Sequence, residues 1–231
     1  MSGLKKSSGQ MYEWVSHMWS PIAGCQHLCS YCYTRKFQAL SDTPRMILPF
    51  PILGENRTVF VGHMCDMFAE NVPADWLLAI LYYCRLFPKN KYIFQTKNPF
   101  RFWHLLPDQQ HYEEALKDLL PPNSLIGTTI ETNRADLLAQ ISKAPSPHNR
   151  AHFLGSLNWE KFITIEPIMD FDLEPLMSLL IEANPTFVNI GADSKGHNLL
   201  EPSRAKVNAL IEAIQKQGIE IRKKMNLERL V

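Results

Sequence analysis

Apolar residues along this chain come in short unbroken runs rather than in alternation. The clearest are residues 58–62 (TVFVG), 91–95 (KYIFQ), 125–130 (LIGTTI), 162–165 (FITI), 187–190 (FVNI) and 219–222 (IEIR). Between them lie amphipathic stretches with helical spacing, at 73–87, 100–106, 111–120, 134–143, 173–183 and 203–217. Continuous apolar runs alternating with amphipathic helices mark parallel strands covered on both faces. Pro73 suits an early helical position, and Gly218 suits a helix C-cap. Pro121-Pro122-Asn123 stops the helix before it. A first strand is expected over residues 11–18, a short helix over 33–40, irregular chain over 43–51 and a helical turn over 151–157. About six or seven βα units follow, with no linker or repeat to divide them. The predicted class is therefore α/β: an open or closed barrel of one domain, residues 11–231, behind a flexible start, residues 1–10. A doubly wound sheet is the alternative.

In either architecture the working residues sit where strands end. The residues just past each run are Gly62-His63-Met64-Cys65-Asp66, Gln95-Thr96-Lys97, Glu131-Thr132-Asn133, Glu166-Pro167, Gly191-Ala192-Asp193-Ser194-Lys195 with Asn189, and Arg222-Lys223-Lys224. Polar and ionisable side chains gather at these ends.

Composition changes little in this picture. The 231 residues are 45% hydrophobic and 20% charged, an ordinary globular mixture, and 24 Lys plus Arg against 23 Asp plus Glu leave a net charge of +1. That balance argues neither for nor against a polyanionic partner; a strongly basic surface is not expected, and a local basic face stays open. The start carries no secretory signal, and no run approaches the roughly 20 apolar residues of a membrane span. A cytoplasmic protein is expected.

The cysteines change the picture most. Three of the five, Cys25, Cys29 and Cys32, fall within eight residues at C-x3-C-x2-C spacing. Five cysteines with three crowded together do not form a disulfide framework, and a reducing compartment suits thiolate ligation. A closed zinc site or an electron-carrying iron–sulfur site takes four protein ligands. Three thiolates on a 4Fe–4S cluster leave one iron open to a small molecule. The competing assignments are a zinc module using His27 or His63 as well, and an electron carrier. The spacing fits the first poorly, since paired C-x2-C or Cys/His knuckles are expected, and the second lacks a fourth clustered cysteine. His27 reads as a solvated loop histidine, Cys84 as core, and Phe100, Phe102 and Trp103 as helix packing.

The spacing, with Tyr31 before the last cysteine, resembles the signature of radical S-adenosylmethionine enzymes. The flanks W-S-P-I-A-G-C-Q-H-L-C-S-Y-C-Y, V-F-V-G-H-M-C-D-M-F, F-Q-T-K-N-P, I-T-I-E-P-I-M-D and V-N-I-G-A-D-S resemble a phage and prophage branch of that family. More distantly the chain is similar to spore photoproduct lyase. The resemblance implies a partial (β/α)6 TIM-like barrel, a 4Fe–4S cluster on Cys25, Cys29 and Cys32, and S-adenosylmethionine as cofactor. It implies reductive cleavage to a 5′-deoxyadenosyl radical acting on a substrate such as a nucleotide or nucleic-acid base. A small flavodoxin- or ferredoxin-like reductant is the implied partner, in a phage-infected or prophage-bearing host. Tyr31 and Tyr33 are implied near the cofactor. Gly62 and His63 stand where the family has its glycine-rich motif, and G-H-M-C-D in place of G-G-E makes Asp66 the substitute. Thr96, Thr129, Glu166 and Asn189 are implied as further cofactor contacts. Cys65, Lys97 and Glu131 are implied as catalytic residues, Cys65 as a hydrogen-atom donor, with a buried, inert cysteine as its alternative.

Overall fold

Strands that are apolar on both faces hide their side chains only between covering helices, and the computed structural model builds such strands in each of two units. It describes residues 3–8, 11–36, 41–105 and 112–231. The first unit comprises Met1–His27 and Thr34–Ile126, the second Leu28–Tyr33 and Gly127–Val231.

In the first unit, β1 (Lys5–Lys6) lies antiparallel to β2 (His17–Trp19), with Lys5 opposite Met18. A separate two-stranded ribbon joins β3 (Ile22–Ala23) to β4 (Arg45–Met46). β5 (Thr58–Val61), the helix α1 (Ala74–Arg85) and β6 (Lys91–Gln95) follow. The sheet order is β1-β2-β5-β6. β2, β5 and β6 run parallel, with Trp19 beside Val61 and Val61 beside Phe94. The short α2 (Arg101–His104) and α3 (Tyr112–Leu119) complete this unit. Its core is aromatic: Trp19 meets Phe50 edge-on at 5.2 Å, and Phe68 packs on Phe102 at 4.3 Å. α1 turns Leu77, Ile80, Leu81 and Cys84 inward, so Cys84 is core as its pattern implies. Each such aliphatic side chain contributes about 1.5–3 kcal/mol on burial.

β7 (Ser124–Thr129) crosses from the first unit into the second. Then come α4 (Ala135–Ile141), α5 (Pro147–Gly155), β8 (Lys161–Ile165), α6 (Leu173–Ala183), β9 (Phe187–Ile190), α7 (Arg204–Lys216) and β10 (Glu220–Lys223). β8, β9 and β10 are parallel neighbours, with Phe162 beside Phe187 and Phe187 beside Glu220. A 3-10 helix, Met225–Leu230, closes the chain. Among the described residues no helix is long and apolar enough to cross a membrane.

Most expected elements stand within a residue or two of their predicted bounds, and the departures have local causes. The strand expected at 11–18 is a turn, in which the Val15 N–H donates to Tyr12 O and Tyr12 stacks on Trp14 at 5.1 Å. Only His17–Trp19 is extended there. The turn expected at 151–157 is a full helix that begins at Pro147, because Ser146 accepts the Asn149 N–H and Pro147 needs no N–H partner in the first turn. The chain expected to be irregular at 43–51 carries β4. Of the helix expected at 33–40, Tyr33–Lys36 is a 3-10 turn and 37–40 lie outside the described residues. Residues 106 and 111, at the edges of two expected helices, also lie outside them.

Gly127 shows how tightly the second unit is packed. A Cβ there would fall on the Phe162 ring, which is itself fully buried and stacked on Phe187. Gly127→Ala is expected to cost about 1–3 kcal/mol, read as a lower urea midpoint with an unchanged slope.

Candidate functional site

Parallel strands put their carboxyl ends on one side, so within each unit the polar residues past those ends become neighbours. In the first unit these are Ser20 after β2, Gly62 to Asp66 after β5, and Thr96 with Lys97 after β6. The cysteine loop leaves β3 through Gly24, whose φ of +87° and closeness to Thr43 O admit no side chain. Cys25 follows, its N–H donating to Ser41 O at 2.9 Å.

His27, expected in solvent, is buried. Its Nε2 lies 2.9 Å from Asp66 Oδ2. Asp66 also accepts the Thr96 hydroxyl at 3.0 Å, the Lys97 N–H at 2.7 Å and, on Oδ1, the Phe68 N–H at 3.0 Å. Burial pushes the Asp66 carboxyl up, but the hydrogen bond and charge of His27, then Lys97 N–H and Thr96, hold it below the usual carboxylate range. Lys97, expected to be catalytic, thus enters through its backbone. Asn98 N–H donates to Thr96 Oγ1 at 2.8 Å, extending the cluster along the loop after β6.

Gly62 donates its N–H to Trp19 O at 2.7 Å, with φ at +87°. Ser20 Oγ lies 2.8 Å from His63 Nδ1 and accepts the Met64 N–H at 2.9 Å. Burial lowers the His63 pKa to about 4. Cys65 is next to it, its thiol pushed well up by burial and then by the neighbouring Cys25 and Asp66 charges. Cys65 therefore stays a protonated thiol near Cys25.

The second unit holds the rest of the cysteine loop. Cys29 is buried with Sγ 3.1 Å from Ser142 Oγ, the Ser30 N–H donates to Ile141 O at 2.7 Å, and the Cys32 N–H donates to Cys29 O at 3.1 Å. Tyr31 OH donates to Glu131 Oε1. Burial raises the Tyr31 pKa well above its ordinary value, and the Glu131 charge adds to this. Glu131 is 0% exposed and accepts Arg150 Nη1 at 2.8 Å on its other oxygen. The same Nη1 donates to Thr129 O at 2.8 Å, and Nε to Pro145 O at 2.7 Å. Glu131, expected to meet substrate, is an anchor for Tyr31 in this arrangement.

Tyr33 is exposed, with Lys195 Nζ 5.2 Å from its ring centroid. Glu166 accepts Lys224 Nζ at 2.6 Å and Asn226 Nδ2 at 2.8 Å. Asn189 lies inside β9 rather than past it, buried and donating to Thr164 Oγ1 at 3.3 Å. Ser20, Ser142, Arg150 and Asn226 were not singled out from sequence. Arg150 sits in P-H-N-R-A-H-F-L, where only its apolar neighbours signal burial. Lys224 belonged to a basic run that reads as a solvated face, yet it pairs with Glu166.

The donor set fits an iron–sulfur cluster in kind: Cys25, Cys29 and Cys32 lie within eight residues and none is in a disulfide. Among the described residues no three His, Cys, Asp or Glu side chains are grouped so as to hold a metal ion.

Two consequences are measurable. Glu131→Gln leaves the Arg150 charge buried without its counter-ion and is expected to cost about 3–5 kcal/mol in urea unfolding. For His63, the unfolded chain binds a proton near pH 6.5 and the folded one only near 4. Stability is thus complete above about pH 6.5 and falls as pH drops toward 4, by on the order of 1–3 kcal/mol. His63→Gln should flatten urea midpoints over that window.

Residues 10–180 match the model of a family described as Protein of unknown function (DUF5131). No curated protein matches the chain. Among solved structures, a cysteine-to-serine variant of spore photoproduct lyase is similar, with TM-score 0.65 and 10% identity over 94% of this chain and 79% of that one. A doubly substituted spore photoproduct lyase with bound AdoMet and dinucleoside spore photoproduct gives TM-score 0.56 and 12% identity over 90% and 63%. SuiB of Streptococcus suis bound to S-adenosylmethionine gives 0.54 and 12% over 90% of this chain and 49% of SuiB, about half its length. At these identities the likeness is one of fold.

Proposed function

Because the chain belongs to the family described as Protein of unknown function (DUF5131), we propose its function from the cysteine loop: it is a radical S-adenosylmethionine enzyme. Three cysteines at C-x3-C-x2-C spacing, none in a disulfide, carry this proposal. A fold similar to that of radical S-adenosylmethionine enzymes supports it, and the proposed architecture is their partial barrel. When bound, a 4Fe–4S cluster on Cys25, Cys29 and Cys32 supplies the electron that splits the sulfonium C–S bond into methionine and a 5′-deoxyadenosyl radical.

The protein's own residues hold this loop and shape what surrounds it. Asp66 and Glu131 fix His27 and Tyr31, two of the side chains between the cysteines. Tyr31 and Tyr33 are proposed to flank the adenine, and Gly62, His63, Thr96, Thr129, Glu166 and Asn189 to line or support the cofactor site. Cys65 is proposed to give its thiol hydrogen atom to a product radical, which forms a C–H bond and leaves a thiyl radical to be reduced. Its elevated pKa keeps that hydrogen in place. The proposed substrate is a nucleotide or nucleic-acid base, supported by the dinucleoside bound in the similar lyase. A small flavodoxin- or ferredoxin-like protein is the proposed reductant.

Anaerobic reconstitution with iron and sulfide tests the proposal. About four irons per chain are expected, with 5′-deoxyadenosine released under a strong reductant. Alanine at Cys25, Cys29 or Cys32 should reduce both to background, while Cys65→Ala should keep both. One zinc per chain and no iron cluster would sink the assignment.

A further inference from the structure

A helix that covers a sheet normally turns polar side chains to solvent. α7 does so, showing Arg204, Asn208, Glu212, Gln215 and Lys216. α1 does not. Its exposed positions are Ala74, Asp75, Leu78, Ala79 and Tyr82, with exposed Leu86 following at the C-cap. Leu78 is 41% exposed, Tyr82 66% and Leu86 55%. At four-residue spacing these three make one apolar stripe, turned away from the buried Leu77, Ile80, Leu81 and Cys84. Arg85 leaves the stripe uncharged, because its Nη1 donates to Lys117 O at 3.0 Å and to Leu120 O at 2.8 Å. Contiguous exposed apolar surface of this kind marks an interaction site.

The stripe reads alike in both directions. Leu78 and Leu86 lie four residues either side of Tyr82. Asp75 and Lys89 lie seven residues either side, both exposed and opposite in charge. Lys89 already meets Glu55 at 2.9 Å, but that pair is exposed on both sides and contributes little. In a twofold pairing, residue i of one copy meets j of the other, and j meets i. Two α1 helices set antiparallel about Tyr82 match leucine to leucine and Asp75 to Lys89, the latter twice. A parallel pairing sets like charges together.

We propose that the exposed face of α1 is a self-association surface, on which a second copy of this chain docks antiparallel about a twofold axis at Tyr82. The apolar stripe leaves water on pairing, and the two Asp75–Lys89 contacts fix its direction. The pairing does not depend on what the cysteine loop binds. One helix against another is a small interface, so dissociation at about 1–100 μM is expected.

Sedimentation equilibrium of the full chain, reduced and anaerobic at low salt, tests this over about 1–300 μM. The wild-type mass should rise from one chain toward two. Tyr82→Glu sets two carboxylates on the axis and should stay at one chain throughout. Asp75→Lys and Lys89→Glu should each weaken association about three- to tenfold, since each turns two attractions into repulsions. The two combined in one chain should restore it to within about twofold. All three positions are exposed, so urea midpoints measured at the lowest concentration should stay unchanged, and the charge exchange carries the test where Tyr82→Glu unfolds. A wild type of one chain at every concentration overturns the inference. So does a dimer that Tyr82→Glu leaves intact, or a double exchange that associates no better than the single ones.

Discussion

A carboxylate stays ionised inside a protein only if donors replace the water it has lost. Two such carboxylates grip the cysteine loop. In the first unit Asp66 collects a ring nitrogen, a hydroxyl and two backbone N–H groups, and one of those donors is His27. In the second unit Glu131 collects Tyr31 and Arg150. Each carboxylate follows a strand, β5 and β7 respectively, so its position comes from the sheet. The loop residues His27 and Tyr31, which lie between the cysteines, are therefore held from strand ends.

The frame was legible where local pattern suffices. β6, β9 and α6 coincide with the runs read from sequence, because a continuous apolar run and a 3.6-residue stripe are local signals. Cys25, Cys29 and Cys32 were legible from spacing alone, which needs no fold. The polar residues past each strand end were also visible as a set. Their partners were not. Nothing in the sequence says that His27 leaves solvent for Asp66, since the two are 39 positions apart. Arg150 is the extreme case: an arginine is by default a surface residue, and its place in the core follows from the buried Glu131 and the Thr129 and Pro145 carbonyls. The same holds for Lys224, whose basic neighbours Arg222 and Lys223 suggest a solvated run although it meets Glu166.

These two classes divide the molecule by kind of information. Backbone periodicity identifies which elements form, whereas charge pairing across distant elements decides which side chains serve the loop. A sequence change at Asp66 or Glu131 thus reaches the cysteines without touching them. The first acts through the hydrogen bond to the His27 ring and the second through the hydrogen bond of the Tyr31 phenol.

The sheet of the first unit stops at β1, two residues long and made of Lys5 and Lys6, both exposed. A parallel strand left bare there would offer its unpaired N–H and C=O groups to any extended segment, including a second copy of the chain. β1 instead pairs antiparallel with β2, and both of its residues are exposed lysines. Like charges meeting across two such borders repel, and two residues are too few to template a further strand. A border of this kind disfavours edge-to-edge pairing at β2.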